Sequence, residues 1–378
     1  MKSARLILLL LCCSLSPLVQ GQESRWASRT WQKITGPNKT YDTTYIYHLN
    51  TPWCVSFNAD LIWNDMSLQS ESSVLGDPDS DVLHINHRLA CNFFQKVGFG
   101  ASVGSVYASY LIEIKQAGSR RNRYLNLSLV RPRLGVSMQY YNIFEFLHTS
   151  YFFNGAPERV YDVPSQVPGH LRHLVVDAFY FFNPSGFSYD AVRGRNHIQV
   201  RSGGSWMALA RYSLEDFRYD PKDPVVLEYF DHIGQYLTGA VSLGGGYSFN
   251  WVPLSRLPDQ EKDKGLRNLT VNLTLLPYVS LYNHIQTTEY KSTGPGSASV
   301  PAKPHQGFLH PTLNFTARAG FSFSWDRFCL CATANLNRLG FRGLETVSPD
   351  EFQHQRIVTR TRGDFYDITT RIQFNVRF

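Results

Sequence analysis

Along much of the chain, hydrophobic and polar residues take turns with period two, the repeat of a strand with one face in oil and the other against water. Over residues 269–281 the odd positions Leu269, Val271, Leu273, Leu275, Pro277, Val279 and Leu281 are apolar. Apart from Leu276, the even positions carry hydroxyls or amides: Asn268, Thr270, Asn272, Thr274, Tyr278, Ser280 and Tyr282. Over 309–325, Leu313, Phe315, Ala317, Ala319, Phe321, Phe323 and Trp325 oppose Thr312, Asn314, Thr316, Arg318, Ser322 and Ser324. The C-terminal stretch sets Tyr366, Ile368, Ile372, Phe374, Val376 and Phe378 against Asp367, Thr369, Arg371, Gln373, Asn375 and Arg377. Residues 53–64 and 241–251 repeat the pattern.

These runs exceed the mean strand of about 5–6 residues in soluble proteins and match the tilted strands of about 9–11 residues that cross a bilayer. In lipid no strand edge can stay unpaired, so such strands close into a barrel with apolar side chains outward and polar ones inward. Weaker alternation over 82–94, 97–114, 124–141, 144–153, 170–182, 187–200, 204–212 and 328–341 brings the candidates to thirteen. Because bacterial single-chain barrels have even strand numbers, the pattern predicts an all-β, transmembrane, antiparallel up-and-down barrel of about 12 strands, with 10 or 14 also compatible. Asn268, Thr270, Asn272, Thr274, Asn314, Thr316, Arg318, Arg371 and Gln373 are then predicted to face the lumen. Trp, Tyr and Phe at the segment ends suit aromatic girdles.

The first 21 residues read as an export signal: Lys2 and Arg5, an apolar stretch over 6–15, and small-residue cleavage chemistry at Val19-Gln20-Gly21. Residues 22–52 lack alternation and are expected to form a periplasmic lead-in or partial plug, leaving 53–378 for the barrel. Asp326-Arg327 leaves almost no loop, whereas 286–307 and 343–364 are long and polar, as are 67–81, 155–169 and 213–238. Short turns belong in the periplasm and long loops outside. Composition fits: 14% aromatic and only 18% charged residues, against about 25% charged in ordinary domains. Lys2 and Arg5 account for two of the formal +7 charges. The rest are scattered along the chain, without the stripe or arm a nucleic-acid partner requires.

Chemistry is sparser. After the signal four cysteines remain, Cys54, Cys91, Cys329 and Cys331, and spacing alone leaves their pairing open. They lack the paired spacing of a zinc site, and the 12 His residues include no metal-ligand pair, so neither metal nor cofactor is expected. His148 and Ser150 are the residue types a hydrolase would use as base and nucleophile, as are His84 and, close together, Ser188 and Asp190. No nucleophile motif surrounds any of them, and polar residues at alternate positions are what any wet barrel wall contains. Asn38, Asn126, Asn268, Asn272 and Asn314 open N-x-S/T triplets, which alternating Asn and Thr produce by composition. The Gly244-Gly245-Gly246 run suggests a bend in the wall.

Phe374, Val376 and Phe378, alternating up to an aromatic last residue, resemble the assembly signal that outer-membrane barrels present to the barrel-insertion machinery. The blocks FSYDAV (187–192) and QVRSGGS (199–205), with DTTYI (42–46) and GYSFNW (246–251), resemble the uncharacterised Bacteroidetes family of DUF4421 domain proteins. The resemblance runs from about residue 40 to the end and implies an outer-membrane barrel of unknown activity, with no catalytic residues to carry over. Gly203 and the long 213–238 segment depart from the pattern. The expectation is thus a protein of the bacterial outer membrane, contacting lipid and lipopolysaccharide, that acts as a narrow channel or as a structural or interaction platform. Alternatives are a lipid- or lipopolysaccharide-modifying hydrolase and a soluble exported β-barrel ligand binder.

Overall fold

The computed structural model describes residues 40–49, 51–74, 83–90, 94–114, 122–146, 148–153, 161–163, 167–219, 233–257, 265–291, 300–301, 305–308, 310–349 and 356–378. The signal-like segment, Asn38 and Cys91 lie outside these residues.

In chain order the strands are β1 (Ile46–His48), β2 (Trp53–Val74), β3 (Leu83–Ala90), β4 (Phe94–Val103), β5 (Val106–Glu113), β6 (Arg123–Val130) and β7 (Leu134–Phe146). Next come β8 (His148–Phe153), β9 (Tyr161–Val163), β10 (Val167–Phe181), β11 (His197–Gln199), β12 (Gly203–Tyr219) and β13 (Ile233–Arg256). The last are β14 (Arg267–Lys291), β15 (Val300–Pro301), β16 (His305–Phe308), β17 (Thr312–Trp325), β18 (Phe328–Pro349) and β19 (Arg356–Arg377). All pairings are antiparallel, and twelve strands (β2, β4–β7, β10, β12–β14 and β17–β19) close into one barrel. Closure runs from Arg377 opposite Cys54 to Ile357 opposite Val74, and the Phe378 N–H donates to the Trp53 carbonyl at 2.9 Å. The β5–β6 hairpin is short, so β3 pairs directly with β8 beyond it. The wall therefore has two fewer strands towards that end.

Each strand turns its apolar side chains outward. Leu273 and Leu275 are 61% and 57% exposed, whereas Asn268, Thr270, Asn272 and Thr274 between and beside them are buried inside. Trp53, Phe182, Trp206, Trp251, Phe328 and Phe378 are exposed on the outer surface near the end with the tight turns at Gly104 and at Asp326-Arg327. Across the wall Tyr212 and Tyr282 both sit level with Val241, on either side of it, and form part of a second exposed aromatic level. Asp326 adopts a left-handed φ of 46°, which a short polar side chain tolerates, and its carboxylate accepts the Gly265 N–H at 2.5 Å.

Two corrections to the pattern reading have physical causes. Strands β2, β13, β14, β18 and β19 run 22–25 residues and take in much of the polar excursions at 67–81, 286–307 and 343–364. Beyond the exposed apolar band a strand's outer face carries polar residues too, so the alternation fades while the hydrogen-bond ladder continues. Residues 187–200 form no wall strand. They hold a single 3-10 turn (Ala191–Arg193) and β11, which pairs with β1 away from the wall. The total of twelve stands because three candidates fall outside the wall count, 187–200 together with 82–94 and 144–153, which chiefly form β3 and β8, while the runs 97–114 and 124–141 each cover two strands joined by a tight turn.

The glycine run lies where β13 and β14 approach closely. A Cβ on Gly246 would sit 1.9 Å from the Leu275 carbonyl oxygen, and one on Gly244 would sit 2.3 Å from that of Pro277.

Candidate functional site

The connection between β10 and β12, residues 182–202, leaves the short-turn end and folds back into the lumen as a tongue. Its apolar side chains Phe187 and Tyr189 pack on Val130, Phe179, Phe181, Met207, Leu209, Leu276 and Tyr278, an oily patch on the inner wall. Leu276, the one break in the polar face of β14, belongs to that patch. Burying an aromatic of this size contributes roughly 1.5–3 kcal/mol, so Phe187 and Tyr189 anchor the tongue.

Its backbone is satisfied by the wall's amides, as buried carbonyls require. Asn250 Nδ2 donates to the Ser188 carbonyl at 2.9 Å, Asn268 Nδ2 to the Gln199 carbonyl at 2.8 Å and Asn375 Nδ2 to the Arg193 carbonyl at 2.8 Å. Ser322 Oγ donates to the Ala191 carbonyl at 3.3 Å. Gln199 is fully buried and ties the tongue to itself: its Nε2 donates to the Gly186 and Arg201 carbonyls, while its Oε1 accepts from the Ser188 N–H and from Asn250. Gly194, at φ +62°, lies against Cys329 and Cys331. Those two thiols are 3.4 Å apart, free and buried, as is Cys54. Close to the tongue's base, β11 pairs with β1, His197 stacks edge-on against Tyr41, and Leu49 packs with Ile198 and Leu266. Burial holds the His197 imidazole down at about 4; Asp190 opposes this shift and His48 adds to it.

Beside the tongue lies a cavity of about 100 Å3 lined by Tyr189, Arg193 and Arg195 of the tongue and by Arg211, Arg318 and Arg371 of the wall. Three of these five guanidiniums have carboxylates. Arg211 meets Asp177 through two bonds of 2.6 and 2.9 Å, Arg371 meets Asp60 through two of 2.7 Å, and Arg195 meets Asp190 at 3.2 Å. The first two pairs are cross-strand neighbours in the register, so the fold itself brings them together. Arg193 and Arg318 instead lie over the Tyr189 ring, each 5.1 Å from its centroid, and form no carboxylate pair among the described residues. Burial resists ionisation of the Tyr189 phenol, yet Arg318 and Arg193 outweigh it and hold its pKa below the ordinary value.

The residues singled out from the sequence fall into three groups. Thr274, Thr316, Arg318, Arg371 and Gln373 line the cavity, and Asn268 holds the tongue. Thr270 and Asn272 extend a ladder of side-chain hydrogen bonds along β14, while Asn314 Nδ2 donates to Ser280 Oγ at 2.9 Å. Phe374 and Phe378 point outward at the short-turn end, where Phe374 stacks on Phe328 at 5.9 Å, and Val376 lies between them on the same face. His148 and Ser150 occupy one face of β8, opposite Ala90 and Arg88 of β3. Their side chains, and that of His84, lie outside the described residues. Asp190 is engaged by Arg195 rather than by Ser188. The tongue's role was missed, although the aromatic run over 179–182, greasy on both faces, carried a signal: an inner face that is apolar needs something inside to cover it.

Among solved structures, the chain is similar to the outer membrane protease OmpT of Escherichia coli at 7% identity, covering 86% of this chain and 96% of that one, with a TM-score of 0.37. It is also similar to the Pseudomonas putida toluene transporter TodX, at 8% identity over 87% and 93% of the two chains with a TM-score of 0.22. A Pseudomonas aeruginosa FadL homologue shares 10% identity over 87% and 91%, with a TM-score of 0.20. No curated protein matches. The family described as "Domain of unknown function (DUF4421)" matches residues 40–257, which hold the tongue and all four motif blocks. The chain belongs to the DUF4421 family.

Proposed function

We propose that this chain is an integral barrel of the bacterial outer membrane whose lumen is sealed from the periplasmic side by its own tongue, and that it works as a surface platform with an internal chamber rather than as an open diffusion pore. The outward apolar band supports membrane residence, since exposed Leu273, Leu275, Leu313 and Ile372 would form a large apolar patch on a water-soluble protein. Placing the short turns in the periplasm follows the usual barrel arrangement. It sets the 22–52 lead-in there too, with β1 reinforcing the seal. Export through a cleaved signal over residues 1–21 and insertion through the terminal Phe374, Val376 and Phe378 complete the reading, with lipid and lipopolysaccharide as the surroundings.

The observation that carries the sealed-lumen reading is the tongue's attachment around the wall: to β13, β14, β17 and β19 by hydrogen bonds, and to β5 through Arg195 stacked 3.7 Å over Tyr107. A segment held on so many sides does not swing aside at small cost. In planar bilayers the refolded protein is expected to be silent, and a variant with residues 184–201 replaced by a short Gly/Ser linker is expected to conduct. Equal conductance of the two would overturn the sealed lumen. Quantitative recovery of the native protein in the soluble fraction would overturn the membrane barrel.

A further inference from the structure

We propose that the cavity beside the tongue is a binding site for a small free oxyanion, a carboxylate or phosphate group, held between Arg193 and Arg318 over the Tyr189 ring. Charge and geometry carry this. Arg211, Arg371 and Arg195 are neutralised by Asp177, Asp60 and Asp190. Asp367, the remaining lining carboxylate, is held by the neutral donors Asn337 at 3.1 Å and Thr369 at 3.2 Å and pairs with neither Arg193 nor Arg318 among the described residues. That leaves Arg318 and Arg193 in surplus. Arg318 is 8% exposed, and its Nε has no hydrogen-bond partner among the described residues. Arg193 donates to Ser128 Oγ at a long 3.4 Å and is only part-buried, so its fork remains directed at the cavity.

A buried guanidinium is stable when paired and hydrogen-bonded, and its planar fork matches carboxylate and phosphate oxygens. The two cations come from different elements, one from the tongue and one from β17, and converge only when the tongue is seated. The lowered Tyr189 pKa agrees with a positive potential at this point. Size restricts the class: about 100 Å3 exceeds the 10–15 Å3 that one water needs and suits a ligand of a few heavy atoms, not a lipid headgroup with its chains. Thr316 and Asn335, also in the lining, add neutral hydrogen-bonding groups.

The inference rests on the sealed-lumen reading in one respect, the seated tongue. Calorimetric titration of the detergent-refolded full chain with inorganic phosphate, and separately with acetate, tests it, with limited proteolysis of the tongue followed on the same samples. Saturable single-site binding of at least one anion is expected. Arg318→Gln and Arg193→Gln should each weaken it about tenfold or more, the share of one charge-assisted hydrogen bond. Arg338→Gln, which breaks the Arg338–Asp364 pair away from the cavity, should leave it unchanged. Absence of saturable binding by a protein whose tongue resists protease would overturn the anion site alone. So would equal binding by all four proteins. Rapid cleavage of the tongue in the wild type would overturn the sealed-lumen reading itself, and this site with it.

Discussion

Gly194 of the tongue fits against Cys329 of the wall so closely that a Cβ at position 194 would lie 2.1 Å from the Cys329 sulfur, and its φ of +62° is one that glycine adopts freely. Gly194→Val combines that overlap with a backbone conformation costly to a β-branched residue. The expected outcome is a barrel that still shows the heat-modifiable gel mobility of the wild type while its tongue is unseated. Bilayer recordings should then show conductance absent from the wild type. A silent, protease-resistant Gly194→Val protein would mean that this contact does not hold the tongue.

Gln199 gathers four hydrogen bonds in a fully buried position. At about 0.5–1.5 kcal/mol net per bond, Gln199→Ala should destabilise the seated tongue by roughly 2–6 kcal/mol, and Gln199→Glu, which sets a buried carboxylate oxygen against the Gly186 and Arg201 carbonyls, by more. Hydrogen exchange of residues 182–202, read by mass spectrometry, should accelerate in that order. Wall strands such as β14 should keep their protection. Uniform acceleration across the barrel would assign Gln199 to global stability instead.

The closure between β1 and β11 carries a pH dependence. The pKa of His197 is lowered from 6.5 to about 4 in the folded state, chiefly by burial. Between those two values the released segment binds more protons than the seated one. The closure is therefore at full strength above pH 6.5 and weakens as pH falls to about 4, by roughly 3 kcal/mol at most. The protection factors of residues 40–49, exchange rates referred to the intrinsic rate at each pH, should be lower at pH 5 than at pH 7.5, and His197→Gln should flatten most of that difference. Protection factors that do not change with pH in the wild type would contradict this reading.

The barrel was legible because closing a wall around a polar interior imposes a rule at every second residue, with Leu273, Leu275 and Leu313 on its outer face. The strand extensions were not legible, since beyond the outer apolar band no such rule holds and the pairing of β18 with β19 from Leu344 to Pro349 follows the backbone register. The tongue was misread for a related reason. Phe187, Tyr189 and the buried Ile198 with its neighbours mimic alternation, but their partners are wall residues far away in sequence, such as Leu276, Asn250 and Asn375. Of the candidate site, Arg318 and Arg371 were placed by period two. That Arg371 is neutralised by Asp60 while Arg318 is not depends on the β19–β2 register, which no local pattern encodes.

The central claim is that one set of side chains on each wall strand touches lipid and the next set does not. Single fluorophores on cysteines introduced at Asn272, Leu273, Thr274 and Leu275 of β14, in a background lacking the native cysteines and reconstituted with bromine-labelled lipid, test this most directly. Strong quenching at 273 and 275 with little at 272 and 274 is the predicted result. Equal quenching at all four positions would contradict it.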